Sequence, residues 1–114
     1  MDKVVSKIVA LGVPGVVLFL AISASGMAGA AAVTTALAAI GPGSLVGGVV
    51  TLGLTVLILD ALSEYGFEKL MEAILKEFRK KGMSRQDIIK KIESYPLTKG
   101  MKLKLINKMM SYCN

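Results

Sequence analysis

At 114 residues, with a formal net charge of +6, 54% hydrophobic residues and a mean hydropathy of +0.63, the chain has the length of one compact unit and the composition of a membrane protein. There is no His, no Trp and a single Cys, Cys113, which excludes His/Cys metal sites, a Ser/His/Asp triad, a Cys/His dyad and an internal disulfide. Its glycine spacings match neither GxGxxG nor GxxxxGK(S/T), so the sequence reads as a non-enzyme with no cofactor and no metal.

The first residues carry Asp2, Lys3 and Lys7; from Ile8 to Leu59 there follow 52 residues without one Asp, Glu, Lys, Arg or His. A bilayer core about 30 Å thick is crossed by roughly 20 helical residues, so this run holds about two crossings. The expected fold is all-α: a membrane-embedded helical hairpin over residues 1–62, followed by a small amphipathic helical module over residues 63–114. A basic start, an apolar stretch and small residues around Ala21 to Gly26 also match a signal peptide, but the apolar character does not stop where a mature domain would begin. Pro14 suits a kink or a first helical turn, which leaves residues 1–12 lying along the interface and the first crossing running from about Gly15 to Ile40.

From Ala21 to Gly48, 15 of 28 residues are Ala or Gly. Small residues recur four apart, as in Gly26/Ala30, Ala28/Ala32 and Gly43/Gly47, and such ladders let helix backbones approach closely in lipid. Gly26, Gly29, Ala30, Gly43, Gly47 and Gly48 are therefore the candidate positions for helix packing and self-association. Ser23, Ser25, Thr34 and Thr35 can bond back to helix carbonyls, or the crossing can instead be two short helices broken at Ser25-Gly26.

Gly41-Pro42-Gly43-Ser44 is a turn signal, and Leu45 to Leu62 is the second crossing, with Asp60 placed as an interfacial residue. Beyond Ser63, Phe67, Leu70, Met71, Ile74, Leu75 and Phe78 fall on one helix face. Asp60, Glu64, Glu68, Glu72, Lys76 and Lys80 form a ladder on another, and the second crossing is expected to continue into this helix with little interruption. Gly82 ends it; Ser84 with Asp87 makes a capping box for the next helix, whose face holds Ile88, Ile89 and Ile92 before Pro96 terminates it. Thr98 can cap a last helix with Leu103, Ile106, Met109 and Met110 on its apolar side.

Residues 79 to 114 hold ten basic and two acidic side chains. Attraction to anionic lipid, a solvated helical surface and nucleic-acid binding compete as explanations. The last is disfavoured because no helix sets Arg, Asn or Gln at base-reading spacing. Arg79, Lys80, Lys81, Arg85, Lys90 and Lys91 are the candidate membrane-surface residues. Positive charge at both ends of the hairpin and none at its tip predicts an integral membrane protein with both termini cytoplasmic.

Three segments, Leu11-Gly12-Val13-Pro14-Gly15-Val16-Val17-Leu18, Ser25-Gly26-Met27-Ala28-Gly29-Ala30-Ala31-Ala32 and Gly41-Pro42-Gly43-Ser44-Leu45-Val46-Gly47-Gly48, resemble the interferon-inducible family of small hydrophobic membrane proteins. They cover about half the chain. The resemblance implies a helical membrane protein connected with innate immunity and cell death, often acting on organelle membranes. The basic helical tail is a departure from that family and argues against a mitochondrial role. The layout of a short double-spanning chain with a basic tail is also similar to that of phage holins. The expected function is a self-associating membrane protein that permeabilises or perturbs a bilayer, as a defence or cell-death effector. The competing reading is a non-permeabilising anchored adaptor that presents residues 63–114 to a cytoplasmic protein partner.

Overall fold

A computed structural model describes residues 2–38 and 48–112, and among these it contains six helices and no strand. The first, α1 (Asp2–Ala10), and the second, α2 (Val13–Ala38), meet at a corner where the Gly12 N–H donates to the Val9 carbonyl at 2.9 Å. Gly15 lies so close to α1 that a Cβ there would overlap the Ile8 carbonyl oxygen. Val4, Val5, Ile8 and Val9 of α1 are buried against the rest of the chain, at the spacing of one apolar stripe. Residues 1–12 were expected to lie along an interface; α1 packs instead against α2, α3 and α4.

Val16 to Ala21 are six consecutive buried residues, so the first arm of α2 is enclosed on every side. A helix that is apolar all round must be buried in protein or in lipid, and here protein encloses this arm. The amphipathic helices supply the enclosure. α3 (Gly48–Tyr65) lies against α2, and so do α5 (Arg85–Ser94) and α6 (Lys99–Tyr112), while α4 (Phe67–Lys80) rests on α1, α3 and α6. α4 turns Leu70, Met71, Ile74, Leu75 and Phe78 inward, the face expected from their spacing. Buried side chains from α1 to α6 belong to one cluster.

The breaks between helices are chemically explicit. α3 does not run on into α4: Gly66, at φ 87°, interrupts it after Tyr65. After α4, the Met83 N–H reaches the Phe78 carbonyl and the Gly82 N–H the Arg79 carbonyl, both at 3.0 Å, around Gly82 at φ 83°. This is a Schellman closure, which needs the left-handed residue that glycine supplies. Ser84 and Asp87 form the expected capping box, and Thr98 Oγ1 accepts from the Met101 N–H at 3.1 Å to begin α6. The expected apolar side of α6 is met at Met109 and partly at Ile106, but not at Leu103 and Met110. Leu105 and Met109 are buried, whereas Leu103 and Met110 face outward, 63% and 41% exposed. The helix carries two apolar stripes, and spacing alone does not say which is covered.

Among the described residues one helix, over Val13–Ala36, is long and apolar enough to cross a membrane by length and composition.

Candidate functional site

The chemistry of this chain converges on the middle of α2. Gly26 adopts φ 62°, ψ −142°, a conformation no helix contains, and it divides α2 into two arms. The turn is sharp enough to bring Gly29 against Ala21, where a Cβ on Gly29 would overlap the Ala21 carbonyl oxygen. In a straight helix those residues stand eight positions, about 12 Å, apart. Two glycines thus make the bend: one takes the conformation, the other leaves room for the close approach.

The polar groups around the bend are satisfied locally. Ser23 Oγ donates to the Phe19 carbonyl at 2.8 Å, Thr34 Oγ1 to the Ala30 carbonyl at 2.8 Å and Thr35 Oγ1 to the Ala31 carbonyl at 3.0 Å. Such bonds back along the helix leave no hydroxyl demanding a partner elsewhere. Ser25 is reached from the far end of the chain, its Oγ accepting from Lys104 Nζ at 3.2 Å. A second tie lies nearby in sequence. Phe67, the first residue of α4, stacks on Phe19 of α2 with centroids 5.5 Å apart and planes 6° from parallel, and Lys108 Nζ sits 4.6 Å from the Phe67 ring centre. Aromatic stacking and a cation over the outer ring each contribute about 1 kcal/mol. α6 therefore grips α2 through two lysines, directly at Ser25 and through the Phe67 ring at Phe19.

Of the small-residue positions singled out from the sequence, Gly26 is the bend, Gly29 is its close contact and Ala30 is buried beside them. Gly48 is the first residue of α3; Gly43 and Gly47 lie outside the described residues. The basic positions are scattered over the ends of α4 and α5. Arg79, Lys80 and Lys81 close α4, with Lys80 paired to Glu77 at 3.5 Å and Lys81 lining a cleft with Asp2, Ser6 and Glu77. Lys90 and Lys91 line a second cleft with Met83, Asp87 and Ser94, while Arg85 is half-buried at the start of α5. The Ser84 backbone N–H and then its hydroxyl hold the Asp87 carboxyl below the usual carboxylate range. A half-open apolar groove of about 430 Å³ runs between α1 and α3, lined by Ala10, Leu11, Gly53, Leu54 and Leu57 with Lys7 at its edge.

The reasoning from sequence missed the two ties of α6 to α2, for which the isolated lysines of α6 gave no signal. It also missed the outward Leu103 and Met110. A signal for these existed: α6 alternates lysine with large apolar residues and contains no carboxylate. No family model, curated protein or solved structure matches this chain.

Proposed function

We propose that this chain is a membrane-active protein that exists in a compact form and a bilayer-spanning form, self-associates in the second and permeabilises the membrane as a defence or cell-death effector. The observation that supports this reading is α2, a segment with the length and composition of a span that is folded back at Gly26. The arms of about 13 and 12 residues reach roughly 18–20 Å each, short of the bilayer core of about 30 Å. Straightened over Val13–Ala36, the same helix reaches about 36 Å. Conversion needs Gly26 to enter the helical region and α4–α6 to swing away, for which Gly66 is a ready pivot. The released arms then meet other copies through Gly26, Gly29 and Ala30, small residues that permit close backbone contact in lipid.

The likeness of residues 11–18, 25–32 and 41–48 to the interferon-inducible membrane proteins supports the same assignment. Dye release from vesicles is the test. Purified chain added to dye-loaded anionic vesicles is expected to release the dye in proportion to cross-linked oligomer. Intact vesicles at saturating protein would overturn the proposal and favour the anchored adaptor. In cells, inducible expression with a membrane-potential dye separates the two in the same way.

A further inference from the structure

Helix α6 is basic without any acid: Lys99–Tyr112 contains four lysines and no carboxylate. Its inner side, Leu105 and Met109, is buried in the core. At 3.6 residues per turn, Leu103 and Met110 lie about 100–160° round the helix from these two and are exposed, with half-buried Ile106 beside them. Lys99 lies within this strip at the start of the helix and Lys102 borders it, its Nζ donating to the Glu93 carbonyl at 2.7 Å, whereas Lys104 lies about 100° further round and is bonded to Ser25. Few large apolar side chains are exposed among the described residues, and α6 supplies two of them. The basic stretches of α4 and α5 are unlike this, because Glu77, Asp2 and Asp87 sit among their lysines.

We propose that the outer face of α6 is the docking surface for an anionic bilayer. Leu103 and Met110 enter the acyl boundary, Lys99 reaches the phosphate headgroups beside them, and Lys102 joins it on leaving the Glu93 carbonyl, while Lys104 stays on Ser25. Single-sign charge around exposed apolar residues on one helix is the arrangement that lies flat in an interface. Charge complementarity names the lipid: a zwitterionic surface offers the apolar residues a home but nothing to the lysines. Docking also has a geometric effect. The same helix holds the bend of α2 through Lys104 and Ser25, so a bilayer on its outer side lies about one helix diameter, about 10 Å, from the folded span. This inference rests on the membrane reading above and supplies its first step, recognition before insertion.

The full chain is purified without detergent and floated with phosphatidylcholine vesicles or with vesicles that also contain phosphatidylglycerol. Binding is expected only to the anionic vesicles and is expected to weaken with salt. Leu103→Asp combined with Met110→Asp should lower it about tenfold or more, since both side chains already face water in the folded chain and the circular dichroism should be unchanged. Lys90→Gln with Lys91→Gln should change it by no more than about twofold. Equal binding by the double-Asp variant, or equal binding to both vesicle types, overturns the proposal; capture by an acidic protein without vesicle binding does the same. Because the chain has no Trp, Met110→Trp provides a single tryptophan that can be excited at wavelengths the three tyrosines do not absorb. Quenching by lipids brominated in their acyl chains is expected, and an unquenched, water-exposed emission refutes docking even for protein reconstituted directly into bilayers. Leakage is followed in the same samples. Docking without leakage rejects permeabilisation and keeps the surface; leakage by the double-Asp variant at wild-type level rejects the surface alone.

Discussion

Replacing Gly26 with Ala should move the chain from the folded-back form towards the straight span. The added methyl meets nothing within 4 Å, so space is not the obstacle. The obstacle is φ 62°, ψ −142°, a region that non-glycine residues occupy only at a cost of about 1–3 kcal/mol. In a continuous helix the same substitution gains about 1 kcal/mol over glycine. Together these shift the balance between the two forms by about 2–4 kcal/mol, about 30- to 900-fold in population. The melting temperature of the compact chain should fall, and dye release at fixed protein should rise. A direct readout uses the contact between Ala21 and Gly29. With carbon-13 placed at the Ala21 carbonyl and at the Gly29 Cα, the wild-type compact form should show a strong dipolar coupling in solid-state NMR, which Gly26→Ala should largely abolish. Retained coupling with an unchanged melting temperature would show that the bend does not depend on the glycine and would remove the basis for a two-form protein.

Gly29→Val should act in the same direction, because its Cβ would collide with the Ala21 carbonyl; a cost of about 1–3 kcal/mol is expected. Its combination with Gly26→Ala should be less than additive, since both open one turn; full additivity in urea denaturation would contradict a shared cause. Phe67→Leu keeps an apolar side chain but removes the ring between Phe19 and Lys108, and should cost about 1–2 kcal/mol in the same assay. A loss indistinguishable from zero would mean that the stack does not hold α4 and α6 to α2. Ser84→Ala should cost about 1 kcal/mol through loss of the cap on α5. Because the Asp87 carboxyl titrates below its ordinary range in the folded chain, its contribution is present at neutral pH and is lost as pH falls through that lowered value. Asp87→Asn should therefore flatten the acid limb of stability against pH, and an unchanged limb would assign the acid sensitivity to other carboxylates.

The last fifty residues were the most legible part of the chain. Phe67 to Phe78 repeat at helical spacing, and Gly82, Ser84, Asp87, Pro96 and Thr98 are local signals whose partners lie within a turn, so their geometry follows without knowledge of the rest of the fold. The apolar run was legible in character but not in shape. Absence of charge from Ile8 to Leu59 says that the segment avoids water, yet protein and lipid satisfy that requirement equally. The local signal at Ser25-Gly26 offered a broken helix beside a continuous one, and the structure takes the broken form; the Lys104 contact at Ser25, nearly eighty residues away in sequence, has no local signal. Leu103 and Leu105 show the same limit at smaller scale. Both belong to plausible stripes, and only the presence of α2 beneath one of them decides which is inside.

The enclosure of α2 has a consequence in time. The hydroxyls of Ser23, Thr34 and Thr35 are satisfied within their own helix, and it is complete after Ala38, but the helices that cover it are made last. At synthesis rates of about 5–20 residues per second, α6 follows the end of α2 by about 4–15 s, whereas a helix forms in microseconds. For those seconds the nascent chain presents a finished apolar helix with no protein to fold against. Whatever meets it then, a membrane insertion machinery or a chaperone that holds it until α6 arrives, selects the form in which the protein begins its life, and slowing translation between α3 and α6 would bias that choice towards the bilayer.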